Sequence, residues 1–462
     1  MEPKFKNLFS NILVFAIGNV LTKLVLFFLM PVYTSAMSTN EYGTGELIYS
    51  TVELMLPVVT LCLYEAVFRF SIDSDSNHTQ LLSNALAAIL KIFSGIILVA
   101  LVIGFFVQIA YMWYFLLILF SWGIRQLFAQ FARGIGKTKI FAASGVLQAL
   151  SLCSFNIIFL MVLHWGINGY LLSIILSNLV SIVFLIVAVR IPRYIHFGKK
   201  DTYQLKAMLA FSIPMIPSTL SWWFVNISAR YILVWFCGAG VAGLFTAASK
   251  LPSVVHLMST IFQQAWQFAS SKEMGNKGGN RFFSSVFKLY SPFILTATSG
   301  LVVVTPLLSV ILLRGEFYQA WVYVPLLLLS AALNCYSIYF GSFYTAAKKN
   351  KMIMVSTVIG AVINVGICFF TIPIWGVYGA LLASCLSYLV IVVIRVADTR
   401  KYAKIKIDWG INLLSLLLLS IQATWVSLGG MQALPLGIVL FIAVLLLNLW
   451  FYRKRIAAVF RR

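Results

Sequence analysis

Long apolar runs, each about twenty residues in length, constrain this chain more than any other feature of its sequence. A helix rises about 1.5 Å per residue, so about 20 apolar residues cross the ~30 Å hydrocarbon core of a bilayer. We therefore predict an all-α integral membrane protein with roughly fourteen transmembrane helices. The predicted spans are 11–33, 46–68, 82–108, 113–131, 141–163, 167–189, 207–235, 241–267, 284–313, 320–345, 352–373, 376–396, 410–428 and 432–452.

The polar connectors are too short to form a soluble catalytic domain. Hydrophobic residues make up 61% of the 462 residues and charged residues only 10%, whereas soluble domains carry about 25% charged residues. The longest polar stretches are 71–80, 190–206, 271–281 and 395–408. An enzyme would have to act inside the bilayer. An intramembrane glycosyl or acyl transferase should show clustered histidines or carboxylates near one interface, which this sequence lacks, so we predict that the chain is not an enzyme.

Cysteine and histidine spacing gives no indication of a metal or a cofactor. The six cysteines lie in or beside apolar runs without a CxxC motif, and the four histidines lack paired or i, i+4 spacing. We predict no disulfide, no metal site and no bound cofactor. The outside connectors are short as well, which argues against an oligosaccharide polymerase or ligase with a large external loop.

The distribution of positive charge predicts the orientation of the chain. Cytoplasmic loops of membrane proteins are enriched in Lys and Arg. If both termini are cytoplasmic, only six of the 34 Lys and Arg residues fall outside the inner connectors and tails, namely Lys23, Lys91, Arg125, Arg230, Lys250 and Arg314. This asymmetry accounts for the net charge of +22 without a nucleic-acid partner. We therefore expect a multi-pass protein of the cytoplasmic membrane with both termini inside.

An internal repeat divides the chain into two halves. The segment Lys137–Ser144 resembles Lys349–Ser356, Trp165-Gly166 resembles Trp375-Gly376, and Glu41-Tyr-Gly43 resembles Val241-Ala-Gly243. These pairs lie about 200 to 212 positions apart. We predict an N-lobe of six helices over 1–200, a C-lobe of six over 201–400, and two further helices with a basic cytoplasmic tail over 401–462. An even number of helices per lobe predicts a pseudo-two-fold axis along the membrane normal.

Polar faces are concentrated on the first two helices of each predicted lobe. A charged side chain in a span costs roughly 2.5–3.5 kcal/mol on insertion scales, so such groups usually face a bundle interior or a watery cavity. Lys23 and Lys250 lie at a similar depth, about 14–15 Å below the outer ends of their helices. We predict a cationic substrate cavity formed by Lys23, Arg230, Lys250 and Arg125. Its predicted polar lining is Asn19, Glu53, Asn226, Gln263 and Gln267.

Several of these residues have simpler interpretations. Lys91 can extend its amine to the inner interface, and Arg125 can pair with a backbone carbonyl or with Glu65. Glu53 can neutralise Lys23 or carry a coupling proton or sodium ion, and the sequence leaves both open. Lys and Arg in a cavity suit an anionic headgroup such as a phosphate or diphosphate.

The whole chain resembles the Wzx-type polysaccharide or O-unit flippases of the multidrug/oligosaccharidyl-lipid/polysaccharide (MOP) exporter superfamily. The resemblance rests on Asn19 to Lys23 followed by Pro31-Val-Tyr33, on the run from Phe236 to Pro252, and on the twin Trp-Gly hairpins. It implies alternating access around a central cationic cavity in which Lys23, Arg230 and Lys250 contact the cargo.

The cargo implied by the resemblance is a short oligosaccharide on undecaprenyl diphosphate. It would pass from the inner to the outer leaflet during synthesis of O-antigen, capsule or exopolysaccharide. The resemblance also implies membrane lipids, a polysaccharide polymerase and chain-length machinery as partners. The alternative is a multidrug and toxin extrusion pump of the same superfamily, although such a pump usually has about twelve spans and an acidic cavity suited to cationic drugs.

Overall fold

The structure is a computed structural model that describes residues 27–72, 77–196, 202–274, 278–347 and 351–460. Every regular element in these ranges is helical. The α-helices are α1 Met30–Ala36, α2 Thr39–Val59, α3 Leu63–Ser71, α4 His78–Phe106, α5 Met112–Gly134, α6 Thr138–Asn156, α7 Gly166–Val189, α8 Thr202–Ser212, α9 Ile216–Cys237, α10 Ala239–Ser249, α11 Ser253–Glu273, α12 Gly279–Leu312, α13 Val324–Ala346, α14 Lys351–Trp375, α15 Val377–Thr399, α16 Trp409–Gly429 and α17 Leu434–Phe460.

The helices are long and apolar enough to cross a bilayer many times. Nine helical segments among the described residues meet that length and composition, or up to eleven if two bent helix pairs each count as one span. One of the nine, Trp409–Arg453, folds back on itself as the α16–α17 hairpin, in which Gln422 Nε2 donates to the Gly437 carbonyl at 2.8 Å. The prediction of an all-α, multi-pass membrane protein is confirmed. The first predicted span, 11–33, lies largely outside the described residues.

The second predicted span of each lobe is bent, which the apolar pattern did not predict. Helices α2 and α3 meet at 58°, and α10 meets the start of α11 at 42°. Pro57 precedes the first bend, where Leu61 and Cys62 adopt left-handed backbone angles, and Pro252 lies at the second. Because proline cannot donate a backbone hydrogen bond, it weakens the helix at these points.

The chain separates into two compact units. Unit 1 consists of Met1–Met37 and Thr44–Trp223, and unit 2 consists of Ser38–Gly43 and Phe224–Arg462. Within the described part of unit 1, α7 packs against both α5 and α6, and α3 packs against α5. Within unit 2, α15 packs against α13 and α14, and the α16–α17 hairpin packs against α12. The predicted division at residues 200 and 400 stays a prediction.

Helix α12 attaches the C-terminal hairpin to unit 2 through a stripe of polar side chains. The amine of Lys288 pairs with Asp408 at 2.7 Å, and the Ser299 hydroxyl donates to Gln422 Oε1 at 2.5 Å. Three further residues of α12 bond to the hairpin or to the connector before it: Asn280 with Lys404, Ser284 with Lys406, and Ser291 with Asn412. The intervals of three, four and eight residues along α12 place this stripe on one face of the helix.

Both twin Trp-Gly motifs form the same kind of tight connection between two helices. Gly166 and Gly376 have φ angles of +51° and +54°, which only glycine adopts easily. Three residues later, Gly169 and Gly379 lie against the preceding helix, where an added Cβ would come within 3.2 Å of Phe159 O and 2.6 Å of Thr371 O. The repeat seen in the sequence therefore corresponds to a repeated local backbone geometry.

Candidate functional site

The nine predicted cavity residues are distributed over both units. Lys23 and Asn19 lie outside the described residues. Asn226 and Gln267 belong to α9 and α11, but their side chains are outside the described part of the chain. Glu53 and Arg125 belong to unit 1, and Arg230, Lys250 and Gln263 belong to unit 2. The five side chains described here are all half-buried.

Lys250 lies at the bend between α10 and α11. Its backbone N–H donates to the Ala247 carbonyl at 3.1 Å, and its own carbonyl accepts from the backbone N–H of Ser253 at 3.2 Å. The Ser253 hydroxyl bonds to the same carbonyl. The bend therefore fixes the backbone from which the ammonium group projects. Because α10 ends just before Lys250, the C-terminal end of that helix dipole favours a cation at this position.

Arg230 lies in α9, seven residues before the end of that helix at Cys237. Its side chain is half-buried. From Ile216 to Lys272 the sequence contains no Asp or Glu, so Arg230 and Lys250 are the charged residues of α9, of α10 and of α11 before Lys272. This segment, most of which belongs to unit 2, therefore has a net positive charge.

Arg125 lines a small, partly enclosed cavity inside unit 1. The cavity has a volume of about 90 Å³ and is lined by Tyr49, Trp122, Arg125, Gln148, Ala149, Leu152, Ile174 and Asn178. These residues come from α2, α5, α6 and α7, and Tyr49 stacks on Trp122 with ring centroids 5.0 Å apart. The Nε of Arg125 is buried and has no hydrogen-bond partner among the described residues. None of the described lining residues carries a carboxylate.

Two acidic residues of α2 differ in their surroundings. Glu46 is buried, with 5% of its surface exposed, and its Oε1 accepts a hydrogen bond of 3.3 Å from the Tyr170 hydroxyl on α7. Glu53, two turns later, is half-buried. A buried carboxylate requires hydrogen-bond donors, and Tyr170 supplies one of them. The sequence pattern gave no indication that Glu46 is the more buried of the two.

Arg395 is a buried cation that sequence reasoning assigned to a cytoplasmic connector. It lies in α15, is 6% exposed, and its guanidinium donates to five acceptors on α13 and α14. These acceptors are the Ser337 carbonyl and hydroxyl, the Ser356 and Thr357 hydroxyls, and the Ile353 carbonyl. Because every acceptor is neutral and the donors are fully used, Arg395 holds three helices together and is not a ligand-binding group.

No group of three His, Cys, Asp or Glu side chains converges in the described ranges, and all six cysteines are unpaired. A cation inside a helical bundle can bind an anion, position a headgroup or fix neighbouring helices. Which of these roles Arg125, Arg230 or Arg395 has depends on the groups that surround its side chain.

The sequence itself matches a known family over more than half of its length. Residues 8–267 match the family described as polysaccharide biosynthesis protein. All nine predicted cavity residues lie in that range. No curated protein sequence matches the chain.

Solved structures of transporters share the fold. The lipid II flippase MurJ in its inward closed conformation is 14% identical, with a TM-score of 0.69 over 96% of this chain and 100% of that one. An inward-facing multidrug resistance MATE family transporter of the MOP superfamily is 14% identical, with a TM-score of 0.65 over 84% of this chain and 98% of that one.

A third similar structure is a MOP superfamily transporter from Pyrococcus furiosus, described as having a binding pocket of reverse polarity that suggests a different function. It is 13% identical, with a TM-score of 0.53 over 84% of this chain and 95% of that one. These likenesses confirm the predicted all-helical fold, which this chain shares with the three transporters.

Proposed function

The chain belongs to the polysaccharide biosynthesis protein family, and we propose that it flips a lipid-linked oligosaccharide across a bacterial cytoplasmic membrane. The cargo is an oligosaccharide repeat unit on undecaprenyl diphosphate. It moves from the inner to the outer leaflet by alternating access through a cationic cavity. The product serves the synthesis of a surface polysaccharide, which is an O-antigen, a capsule or an exopolysaccharide.

The observation that carries this proposal is the charge of α9, α10 and α11. Two cations, Arg230 and Lys250, occur in the 56 residues from Ile216 to Ser271, which contain no Asp or Glu. A diphosphate carries negative charge and accepts charge-assisted hydrogen bonds from Lys and Arg, which are stronger than bonds between neutral groups. A segment of this charge suits an anionic headgroup and repels a cationic drug.

In the proposed mechanism, Lys23, Arg230 and Lys250 contact the diphosphate, and Asn19, Asn226, Gln263 and Gln267 offer hydrogen bonds to the sugars. Glu53 belongs to unit 1, and Arg125 lines the separate small cavity of that unit and does not contact the cargo in this mechanism. The undecaprenyl chain stays in the lipid, because an apolar tail gains nothing by entering a polar cavity. In this proposal Glu53 either neutralises Lys23 or carries a coupling proton or sodium ion.

The likeness to MurJ adds support from the fold. That match covers 96% of this chain, whereas the MATE match covers 84%. The additional part of this chain that the MurJ match covers is about as long as the C-terminal hairpin with its connector. A multidrug and toxin extrusion-type exporter is the alternative function, and the basic character of α9 to α11 argues against it.

We place the protein in the bacterial inner membrane with both termini in the cytoplasm, because the basic connectors then face inward. Its proposed partners are undecaprenyl-diphosphate-linked sugars, the surrounding lipids, a polysaccharide polymerase and chain-length machinery. No nucleic acid enters the proposal.

Complementation of a flippase-deficient strain tests the proposal. The strain makes a known surface glycan, and membrane levels of each variant are matched. We expect wild type to restore surface glycan and Arg230→Ala and Lys250→Ala to leave lipid-linked units on the inner face. Lys91→Ala is the control, since it removes an exposed lysine from α4. Drug resistance without glycan export in the same cells would instead support the extrusion pump.

A further inference from the structure

The Arg125 cavity in unit 1 has the composition of an anion site. Its lining contains one guanidinium and no carboxylate, and the Nε of Arg125 has no hydrogen-bond partner among the described residues. Burial of an uncompensated charge is costly, so a native protein normally supplies an opposite charge or an ion. The described residues supply no ion pair to Arg125.

Two carboxamides add donors to the same cavity. Gln148 Nε2 donates to the Ser177 hydroxyl at 3.4 Å, and Asn178 Nδ2 donates to the Ser121 hydroxyl at 3.4 Å. Each carboxamide nitrogen carries two hydrogens, so one N–H of each amide is left for another acceptor. The guanidinium and the two amides belong to three different helices, α5, α6 and α7, so a bound anion would hold these helices together.

We propose that this cavity binds a small monovalent anion of the size of chloride, with Arg125 as its charged ligand and Gln148 and Asn178 as neutral donors. To hold one water molecule, a cavity needs roughly 10–15 Å³ of volume that the centre of the water can occupy. About 90 Å³ therefore accommodates a halide with a few waters. Pockets for drug-sized ligands measure roughly 300–1,000 Å³, so a diphosphate carrying sugars does not fit.

The bound anion would act as the counter-charge of Arg125 and stabilise unit 1. This inference concerns an ion site inside one unit and is independent of the proposed transport function. A protein that binds chloride without flipping any lipid would support the anion site and contradict the proposed transport function.

Anion-dependent stability of the purified full-length protein tests the site. Thermal unfolding is followed in sodium chloride and in sodium gluconate at equal ionic strength, because gluconate is too large for the cavity. We expect chloride to raise Tm by roughly 2–5 °C in a saturable manner. Radioactive chloride should bind to wild type at one ion per chain.

Arg125→Gln should abolish both the chloride-dependent rise in Tm and the bound radioactive chloride. Lys91→Gln, which removes an exposed charge from the same unit, should retain both. If Arg125→Gln does not fold, Asn178→Leu and the binding of chloride to wild type still decide the question. Equal Tm in chloride and gluconate with no bound chloride would overturn the proposal. Stabilisation by phosphate but not by chloride would also overturn it and indicate an oxyanion site.

Discussion

Gly43 and Gly243 lie directly against each other near the starts of α2 and α10. A Cβ added to Gly43 would be 2.0 Å from the Ala239 carbonyl oxygen, and one added to Gly243 would be 2.2 Å from the Thr39 carbonyl oxygen. The contact is reciprocal, since each glycine approaches the residue four positions before the other. The two glycines also occupy equivalent positions of the sequence repeat, so the two copies of the repeated segment are in contact at this point.

Alanine at either glycine should destabilise the protein. Real Cβ atoms do not approach carbonyl oxygens so closely, so Gly43→Ala or Gly243→Ala must separate the two backbones. We expect a loss of about 1–3 kcal/mol for each, measured as a lower Tm of the purified protein. Gly366→Ala is the control, because a Cβ there meets no atom within 4 Å. An unchanged Tm in Gly43→Ala would contradict the described contact.

Removal of the Arg395 guanidinium should be among the most damaging single changes in unit 2. Arg395→Ala leaves five acceptors on α13 and α14 without their donor, and each buried unsatisfied group costs about 1–3 kcal/mol. We expect loss of folded protein from the membrane, measured by fluorescence-detected size exclusion. The neighbouring Arg400 is exposed, so Arg400→Ala should leave the elution profile unchanged. Equal profiles for both variants would show that the Arg395 bonds do not hold the helices.

The C-terminal hairpin should depend on Gln422 for its attachment to α12. Gln422 is fully buried and bonds to Ser299 and to the Gly437 carbonyl. Gln422→Leu keeps the volume but leaves these groups unpaired, at a cost of about 1–3 kcal/mol. Limited proteolysis should then cut the connector at 400–408 sooner than in wild type. Ile421→Leu, on the exposed side of α16, should be cut at the wild-type rate.

Charge reversal at Lys250 should affect transport more than removal of the charge. Lys250→Glu places an anion where we propose that the diphosphate binds, while Lys250→Arg keeps the charge. A hydrogen bond to a charged group contributes about 1.5–3 kcal/mol, so we expect roughly a tenfold or greater loss of flipping in Lys250→Glu. Lys250→Arg should retain most of the activity. Transport that is equal in the two variants would remove Lys250 from the proposed site.

The spans could be predicted because a single helix reveals its own apolar length. Each predicted span from 46–68 onward coincides with one or two helices of the structure. The bends at Leu61 and Lys250 were not predicted, because Pro57 and Pro252 alone do not say whether a helix will kink or simply tolerate proline. In the sequence, Gly43 and Gly243 were recognisable only as equivalent positions of the repeat. Similarity between two segments of a chain does not indicate that the segments are in contact.

The roles of the arginines could not be derived from the chain alone. Arg395 ends an apolar run, so counting charges placed it in a connector, but its acceptors Ser337, Ser356 and Thr357 lie 38 to 58 residues away on other helices. Arg125 was predicted as a cavity cation, yet its cavity is made by residues of four helices. Such sites depend on tertiary packing, which the periodicity of one helix does not encode.

A flipping assay with the purified protein in proteoliposomes is the most direct test of the proposed flippase function. Vesicles contain an undecaprenyl-diphosphate-linked oligosaccharide in both leaflets, and a membrane-impermeant glycosidase digests the sugars that reach the outer surface. We expect vesicles with wild-type protein to expose nearly all of the sugar and empty vesicles to expose about half, while vesicles with Lys250→Glu should reach full exposure roughly tenfold more slowly or not at all. Exposure of only half in wild-type vesicles, with protein that is folded by its elution profile, would contradict the account.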